Sequence, residues 1–152
     1  MANLIPNIAK GRWAELYDRV DAGDPAASRL YVIPISAGAV TDATLLDADD
    51  FGAMVTAGVT ERTANGWNRK TLAAADLATG APDDTNDRND RSLPTQTWTA
   101  VTVDAVTDLV VCYASVATPT NAQLVPIEVM DFAITPSGSD VQMTGGVFGR
   151  AA

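Results

Sequence analysis

The chain reads as a mainly β protein, a β-sandwich or a partly open barrel, with one or two short helices in its N-terminal half. Three observations predict this. From Thr95 onward, short β-forming segments follow one another with turn signals between them. The continuous apolar run Leu109-Val110-Val111-Cys112-Tyr113 has the pattern of a central strand buried on both faces. Helical periodicity is confined to two stretches before Gly58. An α+β arrangement is the alternative.

Residues 1–9 carry Leu4, Ile5 and Ile8 around Pro6 without a clear period and are expected to form an extended arm. Residues 10–152 are expected to form one compact domain. Trp13, Leu16, Tyr17 and Val20 fall at i, i+3, i+4 and i+7, the stripe of an amphipathic helix, and Gly23 and Pro25 follow its end. Trp13 and Tyr17 read as core packing or, more sharply, as a docking face. Arg29–Ser36 is a strand in which Pro34, lacking a ladder donor, belongs on an edge or at the end. Asp47 to Val55 suggests a second short helix, capped by Asp47 or a neighbour and ended by Gly58.

Asn65-Gly66 signals a turn, with a strand over Trp67–Ala75 after it. The polar stretch Gly80–Arg91 reads as a loop, or a loop feeding a charged edge strand. Thr95–Val103 alternates, with Thr97, Thr99, Val101 and Val103 on one face and Gln96, Trp98, Ala100 and Thr102 on the other. Asp108–Tyr113, Ala122–Val129 and Asp131–Thr135 are further strands. The turn Pro136–Ser139, a short strand over Asp140–Met143 and a tail opened by Gly145-Gly146 complete the chain.

The totals exclude several function classes. At 152 residues, with 47% apolar and 19% charged side chains, the chain suits one packed globule. A net charge of −9 repels phosphates, so nucleic acid is not an expected partner. A membrane is not one either, since there is no polybasic stretch and no apolar run long enough to span. The N-terminus lacks the pattern of a signal peptide, so the product is expected to stay in the cytoplasm where it is made until assembly or lysis. Cys112, the one cysteine, sits in the apolar run and is expected to be a buried small hydrophobe.

No residue pattern carries catalysis. With no His and one Cys, the commonest general base, the His-paired nucleophiles and the Cys- and His-rich zinc sites are ruled out. No phosphate-binding loop occurs. A carboxylate pair for glycoside hydrolysis is always imaginable among 19 acidic residues and so carries no signal. The chain is expected not to be an enzyme, and to need no cofactor. Asp83, Asp84, Asn86, Asp87 and Asp90 invite a calcium reading, but no Gly or closing Glu completes an EF-hand, and Arg88 and Arg91 oppose a cation. No metal is expected. Trp67 and Trp98 read as a sugar platform or, more simply, as core or interface.

Six stretches, Asn7–Arg12, Arg69–Leu72, Asp83–Arg88, Thr97–Ala100, Leu109–Tyr113 and Asp131–Asp140, resemble in the same order a family of small virion proteins. These are encoded beside the major capsid protein of tailed phages. The sequence departs from the family's alternation at Asn89-Asp90-Arg91-Ser92. The resemblance implies a head decoration (cement) protein on the outer surface of the head, bound to the major capsid protein and stabilising it. A tail or head-fibre component, or a carbohydrate- or cell-surface-binding module, is the alternative. A small domain gains most from a symmetric homo-oligomer on a local symmetry axis, with a trimer favoured. Leu4, Ile5, Ile8, Trp13 and Tyr17 are the expected shell or subunit contacts, because they concentrate the apolar residues that a β core needs least.

Overall fold

The computed structural model describes residues 3–77 and 82–151. Met1 and Ala2 of the expected arm, Gly80 and Ala81 of the expected loop, and Ala152 lie outside the described residues. In chain order the elements are a 3-10 turn at Asn7–Ala9, α1 (Trp13–Asp21), β1 (Arg29–Ser36), α2 (Asp42–Asp47), α3 (Phe51–Ala57), β2 (Thr60–Glu61) and β3 (Lys70–Leu72). There follow β4 (Pro82–Asp83), β5 (Arg88–Leu93), β6 (Gln96–Trp98), β7 (Val106–Ala114), β8 (Val125–Ile134), β9 (Val141–Met143) and β10 (Gly146–Ala151). The fold is mainly β, as the sequence predicts, and is built of open sheets.

The principal sheet runs β2-β1-β7-β8, all antiparallel, with β3 pairing β1 on the same side as β2. Two small sheets, β10-β5-β4 and β6-β9, stand apart from it. β1 and β7 are apolar on both sides because both of their faces are covered. Leu30, Val32, Leu109, Val111 and Tyr113 face α1 and the small sheets, meeting Leu16, Tyr17, Leu93, Trp98 and Met143. Tyr31, Ile33, Ile35, Val110 and Cys112 face α2 and α3, meeting Leu45, Phe51 and Met54. Helices therefore cover one face and small sheets the other.

Two helices form where the sequence indicated one. Thr41 caps α2, its side chain accepting from Thr44 N at 3.4 Å, and Asp50 caps α3, accepting from Ala53 N at 2.8 Å. The cap is thus Asp50, while Asp47 ends α2. Gly58 closes α3 with φ 118, a conformation that glycine adopts without penalty.

Pro34 lies inside the sheet rather than on an edge strand. Its carbonyl accepts from Arg62 N at 2.9 Å, so its missing N–H faces the β2/β3 side. There it falls between β3, which pairs at Leu30–Val32, and β2, which pairs at Ile35–Ser36. No bond between β1 and β7 is lost, and the missing donor costs only the reciprocal bond to Arg62 at the end of β2.

Other boundaries differ for physical reasons. The strand expected over Trp67–Ala75 shortens to β3, because Trp67 turns inward and its Nε1 donates to Asp104 O at 2.8 Å. The strand expected over Thr95–Val103 stops at Trp98. Ala100 takes φ 50 and its N–H is held by Asp140 Oδ1 at 2.9 Å, which turns the chain so that Val101 is buried. The segments 122–129 and 131–135 join into the single strand β8. The stretch Asn89–Ser92, where the alternation breaks, lies within β5, and the tail is the strand β10 that pairs with it.

Candidate interaction surface

α1 forms as its stripe dictates. Leu16, Tyr17 and Val20 are buried, Trp13 is half-buried, and Arg19 pairs with Glu15 at 3.0 Å on the outer side. Its inner face meets the end of the chain. β10 shifts register against β5 between Val147 and Gly149, leaving Phe148 as the extra residue of a bulge. The Phe148 ring stands edge-on to Trp13, with centroids 6.2 Å apart, and stacks on Tyr17 at 6.3 Å.

Two polar ties fix α1 to β5 beneath these rings. The Tyr17 hydroxyl donates to Ser92 O at 2.6 Å. Arg91, itself buried, donates from Nε and Nη2 to the two carboxylate oxygens of Asp18, both at 2.6 Å. Arg91 thus turns inward and takes no part in a cation site. Among the described residues no group of three His, Cys, Asp or Glu side chains converges on a point that could hold a metal.

Beside Phe148 a small apolar cleft of about 100 Å³ opens to the surface, lined by Leu93, Met130, Met143 and Val147 among others. Val147 is 53% exposed. Met side chains repack readily around an incoming group, so such a cleft suits an apolar side chain of a partner.

The N-terminal segment forms the second apolar surface. The expected extended arm is a strap docked on β8. Leu4 N donates to Val129 O and Val129 N to Leu4 O, both at 2.8 Å, and Asp131 N donates to Asn3 Oδ1 at 3.0 Å. Asn7 Nδ2 reaches Asp47 Oδ1 at 2.7 Å, and Pro6 and Ala9 are buried. The reason is the outer edge of β8, whose backbone needs partners that the strap supplies.

Of the expected contact residues, Ile5 is 40% exposed, whereas Leu4, Ile8 and Trp13 are half-buried. Tyr17 is fully buried and its ring is covered by Phe148, so it cannot touch a partner. The reading of Tyr17 as a contact is corrected: the stripe that forms the helix consumes it as core. Sequence reasoning missed Val147 and Phe148. Their signal was an apolar pair beyond Gly145-Gly146, passed over as a tail.

Trp67 and Trp98 are 2% and 0% exposed and pack on one another with centroids 5.4 Å apart. Trp98 Nε1 donates to Asn68 O at 2.8 Å. They are core and offer no sugar platform. Cys112 is fully buried and its thiol pKa is pushed up by burial. Among the described residues no helix is long and apolar enough to cross a membrane.

No family model, curated protein or solved structure matches the chain.

Proposed function

We propose that the protein is a structural component of a virion: a decoration protein that binds the outer surface of a tailed-phage head and stabilises it. Its partners on this reading are the major capsid protein and further copies of itself, a trimer in preference. It is made in the host cytoplasm and ends on the head surface. The observation that carries the reading is the pair of apolar surfaces, one at each end of the chain. Ile5 stands out from the strap, and Val147 lines the cleft beside Phe148, against whose ring Trp13 packs. The ordered likeness to small virion proteins, running along most of the chain, supports it. The contacts proposed are Ile5, Trp13 and Val147, with Leu4 and Ile8 holding the strap in shape.

A symmetric oligomer multiplies weak single contacts by ~10²–10⁴ in affinity, which makes a small patch per subunit sufficient. Cross-linking shell subunits raises the barrier to rupture, so the gain is kinetic. The test uses heads assembled without the protein, to which purified protein is added. Binding near the copy number of the shell subunit, with DNA release shifted to higher temperature, is expected. Ile5→Ser and Trp13→Ala should each weaken binding about tenfold or more. A monomer that ignores expanded heads and leaves DNA release unchanged overturns the reading, and a low copy number moves it to a tail or fibre.

A further inference from the structure

Glu128 occupies an unusual place for a carboxylate. The pairing of β7 with β8 passes from Cys112 opposite Pro126 to Val111 opposite Glu128, so Ile127 is the extra residue of a bulge. Glu128 therefore lies opposite Val111, on the face where Ala9 and Ile127 join the core. The Asn7–Ala9 turn of the strap packs against β8 here, one residue from the Leu4–Val129 bridge. The carboxyl is half-buried and has no hydrogen-bond or ion-pair partner among the described residues. Burial alone pushes its pKa up to about 7.

Few charges surround it. On β7 the same face offers Tyr113, and on β8 the nearest acid, Asp131, lies opposite Asp108 on the other face. On the strap the ammonium of Lys10 is held by Asn7 Oδ1 at 2.7 Å, and Asp47 of α2 anchors Asn7 from the far side. On α1, Arg12 and Arg19 both face Glu15, at 3.5 and 3.0 Å. None of these groups contributes to the shift of Glu128.

We propose that residues 3–9 form a pH-dependent latch, held closed on β8 while the Glu128 carboxyl is neutral and loosened when it ionises. On this proposal the strap, paired at the neighbouring Val129 and packed on β8 through its Asn7–Ala9 turn, helps to withhold water from Glu128, and lifting it rehydrates the anion. Closing binds a proton, so the strap is tightest below about pH 4.5, the ordinary value for Glu, and loosens as pH rises through about 7.

Hydrogen exchange of the intact protein tests this, because the Leu4 and Val129 amides donate across the bridge in both directions. Corrected for intrinsic rates, their opening constants should rise at least about fivefold between pH 5.5 and 8. Glu128→Gln should keep the strap protected and remove that rise. The amides of Val110 and Val111, in the centre of β7, should not follow. Equal protection of wild type at both pH values, an undiminished rise in E128Q, or a parallel loss at Val110 and Val111 each overturns the latch.

Discussion

The two faces of the principal sheet are covered in different ways. The face under α2 and α3 is covered mainly by one stretch of chain, residues 42–59, through apolar contacts of Leu45, Phe51, Met54 and Val59, with Leu124 and Leu4 added from elsewhere. The opposite face is assembled from distant segments: α1 near the start, Trp67 in the middle, and β5, β6, β9 and β10 toward the end. It is bound by polar ties as well as packing, namely Arg91–Asp18, Tyr17–Ser92, Trp67–Asp104 and Trp98–Asn68. Local covering leaves only Val55 of α3 as a large apolar side chain exposed within residues 42–59. Assembly from separate pieces leaves the seam at Trp13, Phe148 and Val147, the place where the proposed partner contact falls.

The largest expected effects come from removing a ring from either face. Phe51→Ala and Trp98→Ala each delete a fully buried aromatic and should each cost about 3–5 kcal/mol. Because both faces share β1 and β7, denaturant unfolding of each variant should remain a single transition. Two transitions in either variant would show that the faces are separate folding units, and the comparison would then be one between domains.

The second prediction concerns the polar ties. Arg91→Ala removes a buried bidentate contact to Asp18, whose own side chain is 47% exposed and can turn to water. The loss should therefore be about 2 kcal/mol rather than the larger cost of stranding a buried charge. It should be accompanied by faster exchange in α1 and β10, with α3 unaffected. Equal loosening of α3 would erase the distinction between faces.

Gly145 sets the seam by close approach. A Cβ there would lie 2.6 Å from Thr95 N and 2.7 Å from Leu93 O, both backbone atoms that cannot swing aside. Gly145→Ala should cost about 1–3 kcal/mol and shift β10 relative to β5. Binding to heads should fall with it, since Val147 and Phe148 move. Retained head binding in a destabilised G145A would remove the seam from the proposed contact surface.

How much was legible in the sequence follows the same division. β1 and β7 could be read because a strand buried on both faces shows as an apolar run, and α1 because its stripe has a clear period. The strap, the Phe148 bulge and the inward turn of Arg91 could not. Each depends on a partner far along the chain: Val129 for Leu4, Tyr17 for Phe148, Asp18 for Arg91. Periodicity contains no information on such pairings. Ile5 was legible as apolar surface for a simpler reason, that Pro6 beside it denies a helix. Tyr17 was misplaced because a stripe residue is the same in sequence whether a partner covers it or Phe148 does.

The smallest expected effect lies in pH, where the two faces should agree in direction. Asp108 is fully buried at the end of β7, on the helix-covered side. Its Oδ2 accepts from Thr107 Oγ1 at 2.6 Å, and that hydroxyl oxygen in turn accepts from Ala37 N at 2.9 Å. Desolvation raises its pKa, with the Thr107 hydrogen bond opposing part of the rise. Glu128, on the other face, is raised by burial to about 7. In both cases the folded state holds its proton more tightly than the unfolded chain. Stability from these groups is complete below their ordinary values near 4 and is lost as pH rises through the folded values. The melting temperature should therefore fall between pH 5 and 8, against the usual expectation for an acidic protein whose carboxylates are ion-paired. Asp108→Asn and Glu128→Gln should each flatten part of that slope. The double variant should flatten more than either, because the groups sit on opposite faces and share no partner. A slope that survives in the double variant would assign the pH response to surface carboxylates and separate it from the burial that distinguishes these two.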